Sequence, residues 1–103
     1  MTESAVGKTY YVYILASRKY GALYIGVTGD IAGRLYLHRE EVLPWHTAKY
    51  HIHRLVHFEA YSDPNAAILR EKQLKKWLRA WKIALIEAAN PDWNDLYPEM
   101  AWG

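Results

Sequence analysis

Five side chains in this sequence have types and spacings that suit chemistry on a phosphate group: Tyr13, Tyr24, Arg34, His38 and Glu71. The planar guanidinium of Arg34 can hold the developing charge of a phosphoryl group through two parallel hydrogen bonds. His38 follows four residues later on a predicted helix, so it can share a face with Arg34 and hold water or a tyrosine, or shuttle a proton. A tyrosine can act as a base only where cations or a metal lower its pKa from about 10.

Each of the first four residues also has a purely structural interpretation. Arg34 can lay its stem along apolar surface with its charge in water, and His38 can be a hydrogen-bonded core residue. Tyr13 and Tyr24 are two of nine tyrosines, so they can simply be core aromatics. Residue type and spacing alone leave both interpretations open.

Glu71 is the unusual residue of its helix, because it lies on the predicted apolar stripe. A carboxylate there is costly unless it is paired or bound to a cation. Two interpretations remain open: an ion pair with Arg34, His38 or Lys75, or a divalent-metal ligand. One carboxylate with several waters is a common way to hold Mg²⁺ beside a phosphate.

A predicted β-hairpin positions the two tyrosines. Tyr10–Ala16 is apolar on both faces and therefore reads as a central strand, and Ala22–Val27 follows as the second strand. If the last residue of the first strand pairs with Gly21, Tyr13 lies directly opposite Tyr24 on one sheet face. A slip of one residue would separate the two rings.

A predicted helix positions Arg34 and His38. We expect a glycine where the second strand passes into this helix. Thr28-Gly29-Asp30 supplies cap candidates, and the helix runs to about Glu40. Its apolar stripe consists of Ile31, Leu35 and Val42.

A second helical region carries Glu71. Ile52–Tyr61 reads as a third strand, and Asp63 with Pro64 is a strong helix start. This helix runs to about Trp77 or beyond, and Arg79–Ala89 continues as helix, with a kink as one option. The apolar stripe predicted along both segments is Ala67, Leu74, Leu78, Trp81 and Leu85.

These elements predict a single α+β domain with a small central three-stranded antiparallel sheet flanked by helices, in the order β-β-α-β-α-α. The 103 residues suit one domain (1–103), with a core at about 9–89 and a tail at 90–103 packed on it. The absence of cysteine excludes disulfides and thiolate metal sites. No apolar run approaches a membrane span of about 20 residues, and the N-terminus lacks a signal-peptide pattern, so we expect a cytoplasmic protein and no membrane partner.

The distribution of charge points to a polyanion more than the net charge of +2 does. Between positions 70 and 82 there are six basic residues and one acid, whereas positions 83–103 have four acids and no Lys or Arg. Such a basic stripe suits nucleic acid, although a solvated helix face is an equal alternative. The candidate nucleic-acid contacts are His46, Lys49, Arg70, Lys72, Lys75 and Lys76, although plain surface is the preferred interpretation of His46.

The order and spacing of these pieces resemble the GIY-YIG nuclease domain, in particular its small stand-alone bacterial members. The matching pieces are Tyr11-Val12-Tyr13, Leu23-Tyr24-Ile25-Gly26, Arg34, His38 and the helix with Glu71. The resemblance covers about Thr9 to Trp81. Any one piece would be weak evidence, but together they are specific.

The resemblance implies metal-dependent hydrolysis of a DNA phosphodiester. In it, Tyr13 is the general base and Tyr24 positions water or phosphate, while Arg34 stabilises the transition state and His38 assists deprotonation. Glu71 holds a single Mg²⁺ (or Mn²⁺). The first motif lacks its glycine. Val27 stands where some members carry a lysine, which leaves open whether Lys49, Lys75 or no residue takes that part.

Three functions follow in order of preference. The first is an endonuclease with little sequence selectivity, acting on branched, nicked or single-stranded DNA in repair or recombination-type processing. The second is a nucleic-acid-binding module that keeps the nuclease fold without cutting. The third is a protein-interaction domain that uses the acidic tail with Trp93 and Tyr97. The sequence leaves monomer and weak dimer open.

Overall fold

A computed structural model of the chain describes residues 8–40 and 49–98. Within these ranges the elements are β1 (Tyr10–Ala16), β2 (Leu23–Thr28), α1 (Ile31–Arg39), β3 (Arg54–Tyr61), α2 (Pro64–Lys76) and α3 (Arg79–Ala89). This order confirms the predicted α+β class. None of the helices in these ranges is long and apolar enough to cross a membrane.

The sheet has the order β2-β1-β3, and both pairings are antiparallel. β1 is therefore central, as its apolar sequence predicts, and residues 12–16 are inaccessible to solvent. Helix α1 covers one face of the sheet, where Tyr13 and Leu15 pack with Leu35. Helices α2 and α3 cover the other face through Leu74 and Ile86.

The register of the hairpin differs from the prediction by two residues. Tyr13 pairs with Gly26, and Tyr24 pairs with Leu15. Because side chains alternate between faces with a period of two, a shift of two keeps both tyrosines on one face. They are diagonal rather than directly opposite.

The longer loop between the strands explains this shift. The amide of Ser17 donates to the carbonyl of Ala22 over 3.0 Å. The pair that closes the loop is therefore Ser17–Ala22 and not the predicted Ala16–Gly21. Inside the loop, Tyr20 takes the left-handed conformation with φ 62°. Propensity patterns do not encode such a turn, because a tyrosine is an uncommon choice for positive φ.

The starts of α1 and α2 agree with the predicted caps. Asp30 caps α1 by accepting a hydrogen bond from the Gly33 amide over 3.1 Å. Asp63 caps α2 in the same way, with Pro64 in the first turn. Gly26 lies inside β2, within the predicted second strand.

The predicted apolar stripe does not continue from α2 into α3. Trp77 and Leu78 have extended backbone, with ψ of 151° and 150°, so the helix axis changes direction between them. As a result Leu78 and Trp81 are exposed, at 61% and 54%, although both were predicted to face the core. In their place α3 buries Ile86.

The segment after α3 lies against the domain. Trp93 is inaccessible to solvent, and its indole donates to the carboxylate of Glu87 over 2.8 Å. The amide of Leu96 donates to the carbonyl of Leu55 in β3. The described part of the tail is thus fastened to both α3 and the sheet.

Candidate active site

Tyr13 is the centre of the candidate site, and the central strand holds it rigidly. Its side chain is inaccessible to solvent and points to the face covered by α1. Its hydroxyl forms a hydrogen bond of 3.2 Å with Nε2 of His38, which is itself buried in α1. A phenol and an imidazole in direct contact can pass a proton between them.

Gly26 provides the space for the Tyr13 ring. A Cβ atom at this position would lie 2.5 Å from the Tyr13 Cζ and closer still to the hydroxyl oxygen. Only a glycine therefore lets the phenol lie across β2. This role was not predicted from the sequence, although a glycine inside a strand pattern, which marks a close approach, was the available signal.

Tyr24 completes a cluster of three rings. Its ring centroid is 5.2 Å from that of His38 and 6.4 Å from that of Tyr13. Tyr24 is half-buried, so it connects the buried Tyr13–His38 pair with the surface. This position suits a group that contacts an entering phosphate or water.

The pKa of Tyr13 is raised to about 12. Burial is the main cause, and the nearby Tyr24 adds to it, while the charge of Arg34 acts in the opposite direction without prevailing. The carboxylate of Glu71 also raises the pKa slightly by its charge. Arg34 and Glu71 therefore both act electrostatically on the phenol, and the structure brings all five predicted residues together.

Glu71 forms an ion pair with Lys75, one turn further along α2. Its side chain is only 13% exposed, whereas that of Lys75 is 54% exposed. The ion-pair interpretation of Glu71 is thus realised through Lys75. Val27, where a lysine was considered, instead packs against the core under α2 and α3.

The donor set around Glu71 fits a cation that keeps most of its waters. Within residues 8–40 and 49–98, no group of three or more His, Cys, Asp or Glu side chains is placed to enclose a metal. A single, largely buried carboxylate cannot form a Ca²⁺ cage, but it suits Mg²⁺ beside a phosphate. Glu71 is the residue that would hold such an ion.

The predicted nucleic-acid contacts are not equivalent in the structure. Lys72 and Lys76 are exposed on α2, and the exposed Lys49 lies with its ammonium 5.4 Å from the Tyr50 ring. His46 lies outside the described residues. Lys75 is the one that adjoins Glu71.

Arg70 differs from the others because its guanidinium is engaged on the β3 side of the domain. It donates to both carboxylate oxygens of Glu59, over 2.9 and 3.1 Å, and stacks on Trp77. Burial alone would raise the pKa of Glu59, but hydrogen bonds from His57, Arg70 and Tyr61 outweigh it and hold the pKa well below its usual range. This cluster of charges stabilises the β3 edge.

Comparisons with known proteins agree with this fold. The sequence model of the GIY-YIG catalytic domain matches residues 9–84. A UPF0213 protein of Lacticaseibacillus paracasei is 30% identical over 87 residues, covering 84% of this chain and 97% of that protein. The solution NMR structure of a UPF0213 protein from Bacillus halodurans has a TM-score of 0.54 and 28% identity, covering 84% of this chain and 92% of that one. The resemblance predicted from the motifs is confirmed.

Proposed function

The chain belongs to the GIY-YIG family, a family of nuclease domains, and on that basis we propose that it is a metal-dependent DNA endonuclease that hydrolyses phosphodiester bonds. The observation that carries the proposal is the buried Tyr13–His38 hydrogen bond, with Arg34 and Glu71 close enough to act on the same phenol. A structural pair of core residues would not need two opposite charges beside it. The arrangement supplies a proton acceptor, a cation and a carboxylate at one place.

Tyr13 acts in this proposal as a proton relay rather than as a stored phenolate. With a pKa of about 12, only about one molecule in 10⁵ carries the phenolate at pH 7. The phenol therefore takes the proton of the attacking water while it passes its own proton to Nε2 of His38. The 3.2 Å contact is already short enough for the second transfer.

Arg34 and Tyr24 bind the phosphate. The guanidinium of Arg34 stabilises the charge that develops on the phosphoryl oxygens, which is the largest demand of phosphoester hydrolysis. The half-buried Tyr24 positions the phosphate or the attacking water at the mouth of the site. Both residues sit on regular elements, so their geometry is set before substrate enters.

Glu71 holds the divalent ion, Mg²⁺ or Mn²⁺. When bound, the ion supplies charge neutralisation at the scissile phosphate and at the leaving oxygen. Lys75 is paired with one oxygen of Glu71, so an ion held at that oxygen would displace its ammonium. Lys75 then becomes available to a phosphate, which gives it the part of the lysine absent at position 27.

The substrate in this proposal is DNA recognised by its backbone and shape. A domain of 103 residues has little surface for reading base edges, so we expect weak sequence selectivity and action on branched, nicked or single-stranded DNA. Lys49, Lys72, Lys75 and Lys76, with His46, are the proposed contacts. A cytoplasmic role in repair or recombination-type processing is part of the proposal.

The deciding experiment is cleavage of a panel of labelled duplex, nicked, branched and single-stranded DNAs with Mg²⁺, Mn²⁺ or EDTA. Wild type is compared with Glu71→Gln and with Asp92→Asn, a matched change at an exposed tail carboxylate. We expect cutting that EDTA and Glu71→Gln abolish and that Asp92→Asn leaves unchanged.

Two outcomes would contradict the proposal. Cutting by Glu71→Gln at the wild-type rate would remove Glu71 from the reaction. Binding of DNA without cutting in either metal would favour the second function, a nucleic-acid-binding module that keeps the nuclease fold.

A further inference from the structure

A cleft of about 290 Å³ runs along the edge strand β2 and adjoins the candidate active site. Its lining residues are Leu23, Tyr24, Ile25, Lys75 and Lys82. Tyr24 belongs to the ring cluster, and Lys75 is paired with Glu71, so one end of the cleft is the mouth of the site. Lys82, from α3, is the residue that belongs to no motif.

Lys82 carries a charge that the fold does not use. It is half-buried at the cleft, yet within the described ranges 8–40 and 49–98 it has no ion-pair partner. Its neighbour Arg79 shows the contrast. That guanidinium donates to the carbonyls of Tyr20 and Gly21, both over 2.7 Å, and so fastens the hairpin loop to α3.

The chemistry of the cleft suits the backbone of a nucleic-acid strand. Two ammonium groups, from different helices, line it together with the apolar side chains of Leu23 and Ile25. The two ammonium groups can bind a backbone phosphate, and the apolar side chains can contact the deoxyribose. The volume is at the lower limit of about 300 Å³ for small-molecule pockets, which favours a passing chain over an enclosed ligand.

We propose that Lys82 binds the phosphate next to the scissile one, where the DNA strand leaves the candidate active site and crosses the edge of β2. The inference rests on the proposed function, since it takes Tyr24 and Glu71 to mark the cutting position. Lys82 acts through substrate binding and does not touch the reacting atoms. It extends the contact surface from α2 to α3.

The test is the binding of a short labelled single-stranded DNA of mixed sequence in EDTA, measured by fluorescence anisotropy between about 50 and 200 mM salt. Lys82→Met is compared with Lys19→Met, which removes the same charge from an exposed position in the hairpin loop, outside the cleft and outside the proposed DNA contacts. We expect Lys82→Met to weaken binding about five- to tenfold and to reduce the salt slope by about 0.7, the value for one phosphate contact on a single strand. Lys19→Met should change affinity less than about twofold, and Lys82→Arg should restore binding, because it keeps the charge.

Equal effects of Lys82→Met and Lys19→Met would overturn the inference, as would a wild-type protein that binds no DNA at low salt. Thermal unfolding of each variant shows that the change lies in binding and not in folding. Because the assay contains no divalent metal, it does not depend on cleavage. A Lys82 effect without cutting in any metal would therefore contradict the proposed function and the placement of Lys82 beside a scissile phosphate, and would leave Lys82 as a DNA contact only.

Discussion

Gly26 shows how one missing side chain positions a reacting group. A methyl group at this position would collide with the Tyr13 ring, which is buried and cannot swing aside. We expect Gly26→Ala to break the Tyr13–His38 bond, to lower single-turnover cleavage about 10²-fold and to cost about 1–3 kcal/mol in urea unfolding. Gly29→Ala is the control, because its methyl would meet the end of the flexible Lys8 side chain. Wild-type rates in both variants would contradict the role of Gly26.

The proton relay predicts a change in pH dependence when its acceptor is removed. In His38→Ala only the phenolate form of Tyr13 can act as a base. Its fraction rises about tenfold per pH unit below a pKa of about 12. Cleavage by His38→Ala should therefore climb steeply between about pH 7 and pH 10, whereas the wild-type profile should be flatter.

The pH profile has its own internal control. Tyr13→Phe lacks the phenol, so its cleavage should be low at every pH. Parallel profiles of wild type and His38→Ala would show that His38 is not the acceptor of the Tyr13 proton. Far-UV circular dichroism at each pH separates these effects from unfolding.

At the scale of elements, the Glu59 cluster fastens the free edge of β3 to α2. The carboxylate accepts hydrogen bonds from Arg70 and Tyr61 and contacts His57. Its pKa is held below the ordinary 4.5, so its contribution to stability is complete above pH 4.5 and is lost as the pH falls through the lower value of the folded state.

We expect Glu59→Gln to lower the free energy of unfolding by about 1–3 kcal/mol at neutral pH, since it removes a carboxylate that Arg70 binds through two hydrogen bonds. The stability of the variant should also fall less than that of wild type as the pH drops below 4.5. Thermal unfolding at neutral and acidic pH measures both effects. A variant that loses stability in acid as steeply as wild type would show that other carboxylates dominate.

The features that could not be predicted from the sequence are mainly the register of the strands and the direction of the helices. β1 and the capped start of α2 were predicted because apolar runs and the Asp63-Pro64 pair act locally. The hairpin register was not, because it depends on a turn that puts Tyr20 at positive φ. A kink before Arg79 was one predicted option, but the apolar stripe was predicted to continue through it, since Trp77 and Leu78 are both compatible with a helix and only packing decides their conformation.

More of the candidate site than of the surrounding fold could be predicted from the sequence. The five side chains followed from motif spacing, and the structure places them together. Gly26 and Lys82 were missed for different reasons. The first acts by lacking a side chain, and the second acquires its position only when α3 packs beside the edge of β2.

At the scale of the whole molecule, Trp93 stabilises the domain although it lies in none of the helices and strands. It packs in the core under α2 and α3 and is bound to Glu87. We expect Trp93→Ala to cost about 3–5 kcal/mol, a large part of the about 5–15 kcal/mol that stabilises a domain. Trp81→Ala is the matched control, because Trp81 is 54% exposed and should cost far less. Similar melting temperatures for the two variants would show that Trp93 contributes no more to stability than Trp81.

β1 pairs with β2, which is near in the sequence, and with β3, which is distant in the sequence, so the two pairings form at different times during folding. Its pairing with β2 spans one short loop and can form within about 1–10 μs, whereas its pairing with β3 must wait until residues 17–53 have closed into a loop. During synthesis the hairpin and α1 emerge first, with the tyrosines, Arg34 and His38. Glu71 follows on the order of seconds later. In the proposed mechanism, a half-made chain would therefore lack the carboxylate that would hold the ion, and cleavage would begin only when the domain is complete.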